Sequence, residues 1–286
     1  MKRALLLLSF VLPLATSAQL VKLDGAKAIQ YKQVEDTKLF LHVFNPKDHK
    51  ASDRRPAIVF FFGGGWSGGT PKQFEPHCTY LASRGMVAIT AEYRVKSRNK
   101  TTPFECVKDG KSAIRWVRAN AAKLGVDPKR VAAGGGSAGG HVAAATGNCP
   151  GLEEEGENLK VSSKPDVLVL FNPVYDNSSK GYGHDRVKPR WKEISPMYNI
   201  RKGAPPTIVF LGTKDKLIPV STAQEYEKRL VAVGSRSELH LYKGATHGFF
   251  NKGKGDAYPD TVIKMDDFLN SLGWLKGEPT IKKESK

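Results

Sequence analysis

Acidic side chains are scarce in this sequence: 28 Asp and Glu stand against 45 Lys and Arg, a formal charge of +17 at pH 7 over 286 residues. Such a surface draws polyanions by long-range attraction. For an exported protein these are uronate-bearing or sulfated polysaccharides rather than nucleic acid; solvated lysines on a generally basic protein are the plainer reading. Cysteine is also sparse. Cys78, Cys106 and Cys149 are too few for a disulfide framework and have no metal-site spacing; one disulfide is open to them in an oxidising compartment, and burial as small apolar residues is the favoured reading. Long hydrophobic runs are missing as well. The most apolar stretch, Ala4 to Leu14, falls well short of the roughly 20 residues that span a bilayer, and no later segment comes closer. With Lys2 and Arg3 before it and Thr16, Ser17 and Ala18 after it, that stretch reads as a signal peptide over residues 1–18. The expected mature protein is then a single domain over 19–286, periplasmic or secreted and not membrane-spanning. No repeat, low-complexity tract or interdomain linker interrupts it.

What is present is an alternation of buried strands and amphipathic helices, the pattern of a mostly parallel, twisted sheet of about eight strands with helices on both faces. "AIQYKQV" and "KLFLHVF" predict an antiparallel hairpin, and "AIVFFF" and "MVAITAEY" predict strands buried on both faces. Pro103 opens a long helix and "RVAAG" begins the next strand. "DVLVLFN", "TIVFLG" and "ELHLY" supply later strands. Between the first two of these lies a stretch, about 173–206, rich in Gly, Pro and aromatics and without sustained period. It reads as a lid-like insertion or binding loop.

The turn "GGGSAGG" after "RVAA" fits two motifs. Gly134, Gly136 and Gly139 match the G-x-G-x-x-G that cradles a dinucleotide, while Gly135, Ser137 and Gly139 match G-x-S-x-G, which presents a nucleophilic serine. The first requires the first strand of the parallel sheet and a carboxylate closing the next strand about 20 residues on. Here two parallel-strand candidates come earlier, and Glu153 to Glu155 follow no apolar strand. The second requires an acid and then a histidine beyond later strands, and backbone N–H donors near an earlier one. Asp215 follows "TIVFLG", His247 follows "ELHLY", and Gly64 and Gly65 follow "AIVFFF". Asp176 and Asp185 are rivals for the acid. Asp215 is preferred because it precedes the last strand-and-histidine unit.

"FGGGW", "AEYR", "GGSAGG", "GTKDKLIP" and "GATHGF", in this order over about residues 55–272, make the sequence similar to the α/β-hydrolase superfamily. The likeness is to its secreted esterases and lipases, near the hormone-sensitive-lipase-like and the feruloyl or acetyl esterase groups. The resemblance implies a catalytic Ser137, Asp215 and His247, an oxyanion hole from the N–H groups of Gly64, Gly65 and Ala138, and no metal or organic cofactor. One departure is Phe62, which stands where hormone-sensitive-lipase-like proteins carry histidine; because the donors are backbone groups, the hole does not depend on it.

Trp66 reads equally as core or as a wall of an acyl pocket, and Tyr175, His184, Arg186 and Trp191 as candidates for the alcohol side. Glu92 and Arg94 are expected to form a structural ion pair, and His141 to pack within its helix. The favoured function is a secreted serine ester hydrolase acting on a small ester or an acylated, acidic polysaccharide. A serine exopeptidase of the prolyl-oligopeptidase kind shares the triad order but normally carries a large propeller domain absent from these residues. A non-catalytic hydrolase-fold binding protein would commonly have lost a triad residue.

Overall fold

The computed structural model describes residues 21–281, so the expected leader, residues 1–18, lies outside them. Eight strands form one sheet: β1 (Lys27–Val34), β2 (Thr37–Phe44), β3 (Arg55–Phe61), β4 (Val87–Ala91), β5 (Val126–Gly136), β6 (Val167–Phe171), β7 (Thr207–Gly212) and β8 (Ser237–Tyr242). Their order across the sheet is β1-β2-β4-β3-β5-β6-β7-β8. β2 runs antiparallel to both β1 and β4, and every pairing from β4 to β8 is parallel. The helices are α1 (Glu75–Ser83), α2 (Lys96–Asn99), α3 (Pro103–Ala119), α4 (Ala138–Asn148), α5 (Trp191–Ile194), α6 (Val220–Ala232) and α7 (Ala257–Ser271).

Because successive strand residues point to opposite faces, β3 serves two cores at once. Val59 and Phe61 join the core built with α3, α4 and α6, and Ile58 and Phe60 join the one built with α1 and α7. All four are fully buried, which explains why the sequence shows no polar alternation there. Truncating Phe60 to Ala would cost about 3–5 kcal/mol by lost transfer energy and cavity formation. α3 starts with a capping box, Thr102 accepting from the Phe104 N–H while Glu105 accepts from the Thr102 N–H, and Pro103 occupies its first turn.

Charged groups fix the polar stretch after α4 to α3, to β1 and to the segment just past β4. Glu153 pairs with Lys111 and Arg115, and Glu154 with Lys32 and Arg94. The acids that fall at a dinucleotide-like spacing from the glycine turn thus hold a loop in place. Glu92 and Arg94 do not pair as expected: Arg94 turns inward to the buried Asp109, and Glu92 meets His42. The three cysteines are buried and free. The insertion is a packed cap more than a free flap. It holds α5 and 3-10 turns at His184–Arg186 and Pro196–Tyr198, and Val174 to Ser178 are buried. Among the described residues no helix is long and apolar enough to cross a membrane.

Candidate active site

The carboxyl ends of the parallel strands carry the site. β5 ends at Gly136 and α4 begins at Ala138, so a single residue, Ser137, makes the turn; its φ of 55° and ψ of −119° are strained for a residue with a side chain. Gly135 and Gly139 make this closeness possible. A Cβ on Gly139 would strike the carbonyl oxygens of Phe61 and Phe62 at the end of β3, and one on Gly135 would strike Gly139 itself. Gly134, the supposed phosphate contact, lies in the strand against Phe60. The turn is therefore built to present a hydroxyl, and the amino end of α4 lies beneath it with its partial positive charge.

From the β7 and β8 loops come the partners. His247 Nε2 lies 2.9 Å from Ser137 Oγ, and His247 Nδ1 lies 2.7 Å from Asp215 Oδ2. The Asp215 side chain is fully buried, and its other oxygen accepts from the N–H groups of Leu217 (2.8 Å) and Ile218 (3.1 Å). Burial alone would raise its pKa. The hydrogen bonds from His247 and the two amides outweigh that and hold the carboxyl below its ordinary value. As a carboxylate it accepts from Nδ1–H, which leaves the Nε2 lone pair facing the serine hydroxyl. Asp176 serves elsewhere, accepting from the N–H and hydroxyl of Ser178, and Asp185 pairs with Lys188 at the surface.

On the other side of Ser137 stands the Phe62–Trp66 loop. Gly64 (φ 122°) and Gly65 (φ 60°) adopt positive φ, and a Cβ on Gly63 would lie 3.3 Å from the Ser137 Cβ. Among the described residues no hydrogen bond engages the N–H of Gly64, Gly65 or Ala138, whereas the carbonyls of Gly64 and Gly65 are engaged. Phe62 acts as a plug: its ring stacks on Tyr93 at 4.2 Å and its carbonyl accepts from the Tyr93 hydroxyl at 2.5 Å.

Trp66 resolves toward the core. It is 1 % exposed, and its Nε1–H donates to His141 Nδ1 at 3.2 Å. His141 therefore carries its proton on Nε2, which faces Asn177 Oδ1 (3.1 Å) and the Ile194 carbonyl (2.9 Å). Burial lowers its pKa to about 4, more than the two acceptors raise it. The histidine expected to pack within its helix is thus a neutral three-way joint between the glycine loop, α4 and the insertion.

Of the four alcohol-side candidates, Arg186 is nearest the glycine loop. It donates to the Gly65 carbonyl at 2.5 Å and lies over the rings of Trp66 and Tyr182 at 5.7 and 5.6 Å. His184 meets the Asn177 carbonyl at 2.9 Å. Tyr175 is fully buried against Tyr226, so it is core and not a pocket wall. Trp191 packs against the cluster of Phe104, Ala145 and Cys149 and against Tyr198; Ala145 is eight residues along α4 from Ser137, about 12 Å by helical rise, so Trp191 belongs to the cap.

Three amide side chains beside the site escaped the sequence reading. Asn172 is buried just past β6, with Oδ1 accepting from the Gly248 N–H at 2.9 Å and Nδ2 3.5 Å from His247 Nε2. Gln73 bonds Gly63 and Asn251. A polar residue closing the wholly apolar strand "VLVLF" was the available signal for Asn172; Gln73 and Asn251 gave none. Among the described residues no group of three or more His, Cys, Asp or Glu gathers as metal ligands.

Two family models match the chain, BD-FAE over residues 41–177 and the dienelactone hydrolase family over 175–276. Esterase LipC of Mycobacterium tuberculosis is 31 % identical over 75 % of this chain and 58 % of its own length, so the chain spans under three fifths of that relative. The fold is similar throughout to Thermogutta terrifontis esterase 2. Its tabun-phosphoramylated form is 46 % identical, with a TM-score of 0.87, covering 90 % of this chain and 98 % of that one. The propionate-bound form gives 46 % and 0.86, covering 89 % and 97 %. A likeness of that extent, with the eight-stranded sheet and the serine turn, places this chain in the α/β-hydrolase esterase family.

Proposed function

We propose that this protein is a serine carboxylic-ester hydrolase for short acyl groups, with Ser137 as nucleophile. The hydrogen-bonded run Ser137–His247–Asp215 across the strained turn carries the reading. Ser137 Oγ attacks the ester carbonyl as His247 Nε2 takes its proton, and Asp215 steadies the imidazolium that results. The oxyanion is met by the unengaged N–H groups of Gly64, Gly65 and Ala138, and removing one such donor typically costs about 3–4 kcal/mol of transition-state stabilisation. His247 returns the proton to the leaving alcohol and then activates a water that hydrolyses the acyl-enzyme. The preference for short acyl chains draws support from the esterase of Thermogutta terrifontis, described in propionate-bound and butyrate-bound forms.

The finer substrate we propose is an acetyl- or feruloyl-bearing acidic polysaccharide outside the cell or in the periplasm. The leader-like residues 1–18 support export. Exposed cations in the loops that follow the parallel strands, among them Lys72, Arg98, Lys214, Lys216, Lys243 and Lys252, support an anionic polymer. The test is a nitrophenyl ester series from acetate upward, together with release of acyl groups from acetylated pectin, xanthan and neutral xylan, on wild type and Ser137→Ala. Faster turnover of acetate to butyrate than of longer esters, abolished in the variant, is expected. Acidic polymers should be preferred at low salt and lose that preference as ionic strength rises. Peptide amides cleaved faster than every ester would overturn the proposal.

A further inference from the structure

We infer that Gln73 and Asn251 are positioning residues that lock the glycine loop to the His247 loop, so that the oxyanion donors and the base keep one geometry around Ser137. The inference rests on the proposed ester hydrolysis. Gln73, in the 3-10 turn Pro71–Phe74, accepts from the Gly63 N–H through Oε1 at 2.6 Å and donates through Nε2 to Asn251 Oδ1 at 3.0 Å. Asn251 in turn donates through Nδ2 to the Gly248 carbonyl at 2.7 Å. The N–H of the same Gly248 is held by Asn172, whose other amide atom lies beside His247 Nε2. An unbroken run of amides therefore leads from the residue before the oxyanion glycines to the residue after the base.

The bond pattern leaves little freedom. Gln73 must point its oxygen at Gly63 and its nitrogen at Asn251, because an N–H cannot accept; that fixes Asn251 with its oxygen toward Gln73 and its nitrogen toward Gly248. Rotating either amide by half a turn sets donor against donor or acceptor against acceptor. The two loops come from opposite ends of the chain, 178 residues apart at this bond, and pack on either side of one serine. A rigid link is useful there because misplacing a reacting group by about 1 Å can cost on the order of a hundredfold in rate. The side chains of Gln73 and Asn251 bond Gly63, Gly248 and each other, not Ser137, His247 or Asp215, so both act through the loops they hold.

The experiment measures kcat, KM and Tm on nitrophenyl butyrate for Gln73→Met, Asn251→Ala and the double variant, beside wild type and Ser137→Ala. Methionine keeps the shape of Gln73 and removes both bonds. Wild-type turnover that Ser137→Ala abolishes must hold first; its failure would count against the ester-hydrolase reading itself. Given it, each single variant should lose roughly tenfold to a hundredfold in kcat with little change in KM, and the double variant should lose no more than the worse single, because one connection is broken either way. Gln73→Glu, which still accepts from Gly63 but cannot donate to Asn251, should fall between Gln73→Met and wild type. Wild-type kcat in Gln73→Met, losses that multiply in the double variant, or a fall in Tm with kcat unchanged would each overturn the inference.

Discussion

The two arms that reach Ser137 from opposite sides are held by opposite means. The His247 arm is charge-assisted: a buried carboxylate, three hydrogen bonds onto it and an imidazole a quarter exposed. The glycine-loop arm has a neutral, closed anchor at its inner end, with Trp66, His141 and Asn177 buried and bonded to one another, and Arg186 reaches it only from the surface, at the Gly65 carbonyl. The contrast fits the work proposed for each. A base must gain and lose a proton, so it needs a nearby charge and access to water. An oxyanion hole must present dipoles that do not move, so it suits an anchor that stays uncharged near neutral pH, as His141 does with its pKa lowered by burial to about 4.

Breaking the charged arm should have the largest effect. Asp215→Asn keeps the shape of the side chain but misdirects the imidazole tautomer, and kcat should drop by about 10⁴ with Tm nearly unchanged; a loss below tenfold would mean the carboxylate is not the partner of His247. Breaking the neutral arm should act on folding as much as on rate. Trp66→Phe leaves His141 Nδ1 buried without a donor, which should cost about 1–3 kcal/mol in chemical denaturation.

A second buried histidine sharpens the contrast between bonded and unbonded neutrality. His77 is enclosed by Phe60, Phe74, Phe171, Phe250 and Tyr258, and among the described residues neither ring nitrogen has a hydrogen-bond partner. His77→Phe removes two unpaired polar atoms from an aromatic nest and should stabilise the protein by about 1 kcal/mol, the opposite sign to Trp66→Phe. A loss of stability on denaturation would show that the nest needs the imidazole.

The last test of the contrast is a slope with pH. Burial holds His77 down to about 3 and His141 to about 4, against an ordinary histidine value of 6.5. Between pH 6.5 and 4 the unfolded chain binds protons that the folded chain refuses, so stability must fall as pH falls through that window. Glu153 and Glu154 add a later loss. Burial works to raise them, but Lys111 and Arg115 on one and Lys32 and Arg94 on the other hold them below the ordinary 4.5. Their contribution is complete above 4.5 and disappears as pH drops through the lowered value. Tm measured from pH 8 to pH 4 should begin to decline near 6.5, less steeply in His77→Phe.

What the sequence reveals of the site divides by whether a residue has a fixed place relative to a strand. Ser137, Asp215 and His247 were legible because each sits at a fixed place relative to a strand, and strands announce themselves by apolar runs such as "AIVFFF" and "TIVFLG". Gly64 and Gly65 are legible by the same logic, as they follow "AIVFFF", whereas Ala138 enters only through the resemblance to the family. Trp66, Tyr175 and Trp191 were ambiguous because a large aromatic in a loop looks alike whether it fills a core or faces a substrate; only packing on His141, Tyr226 and Tyr198 separates the cases. The amides Gln73, Asn172 and Asn251 carry no periodicity and no motif, and their partners lie up to 178 residues away. The Glu92 and Arg94 pairing failed for a local reason: alternate residues at the end of an extended run share a face, but the buried Asp109 on α3 offers Arg94 two oxygens and wins it.

The most direct test of the central claim is covalent. Paraoxon phosphorylates Thermogutta terrifontis esterase 2. If Ser137 is the activated nucleophile here, incubation with paraoxon should release one nitrophenolate per chain and place the diethylphosphoryl group on the peptide containing Ser137, with neither event in His247→Ala on the same timescale. A phosphoryl group on a different residue, or equal labelling when His247 is replaced, would contradict the account.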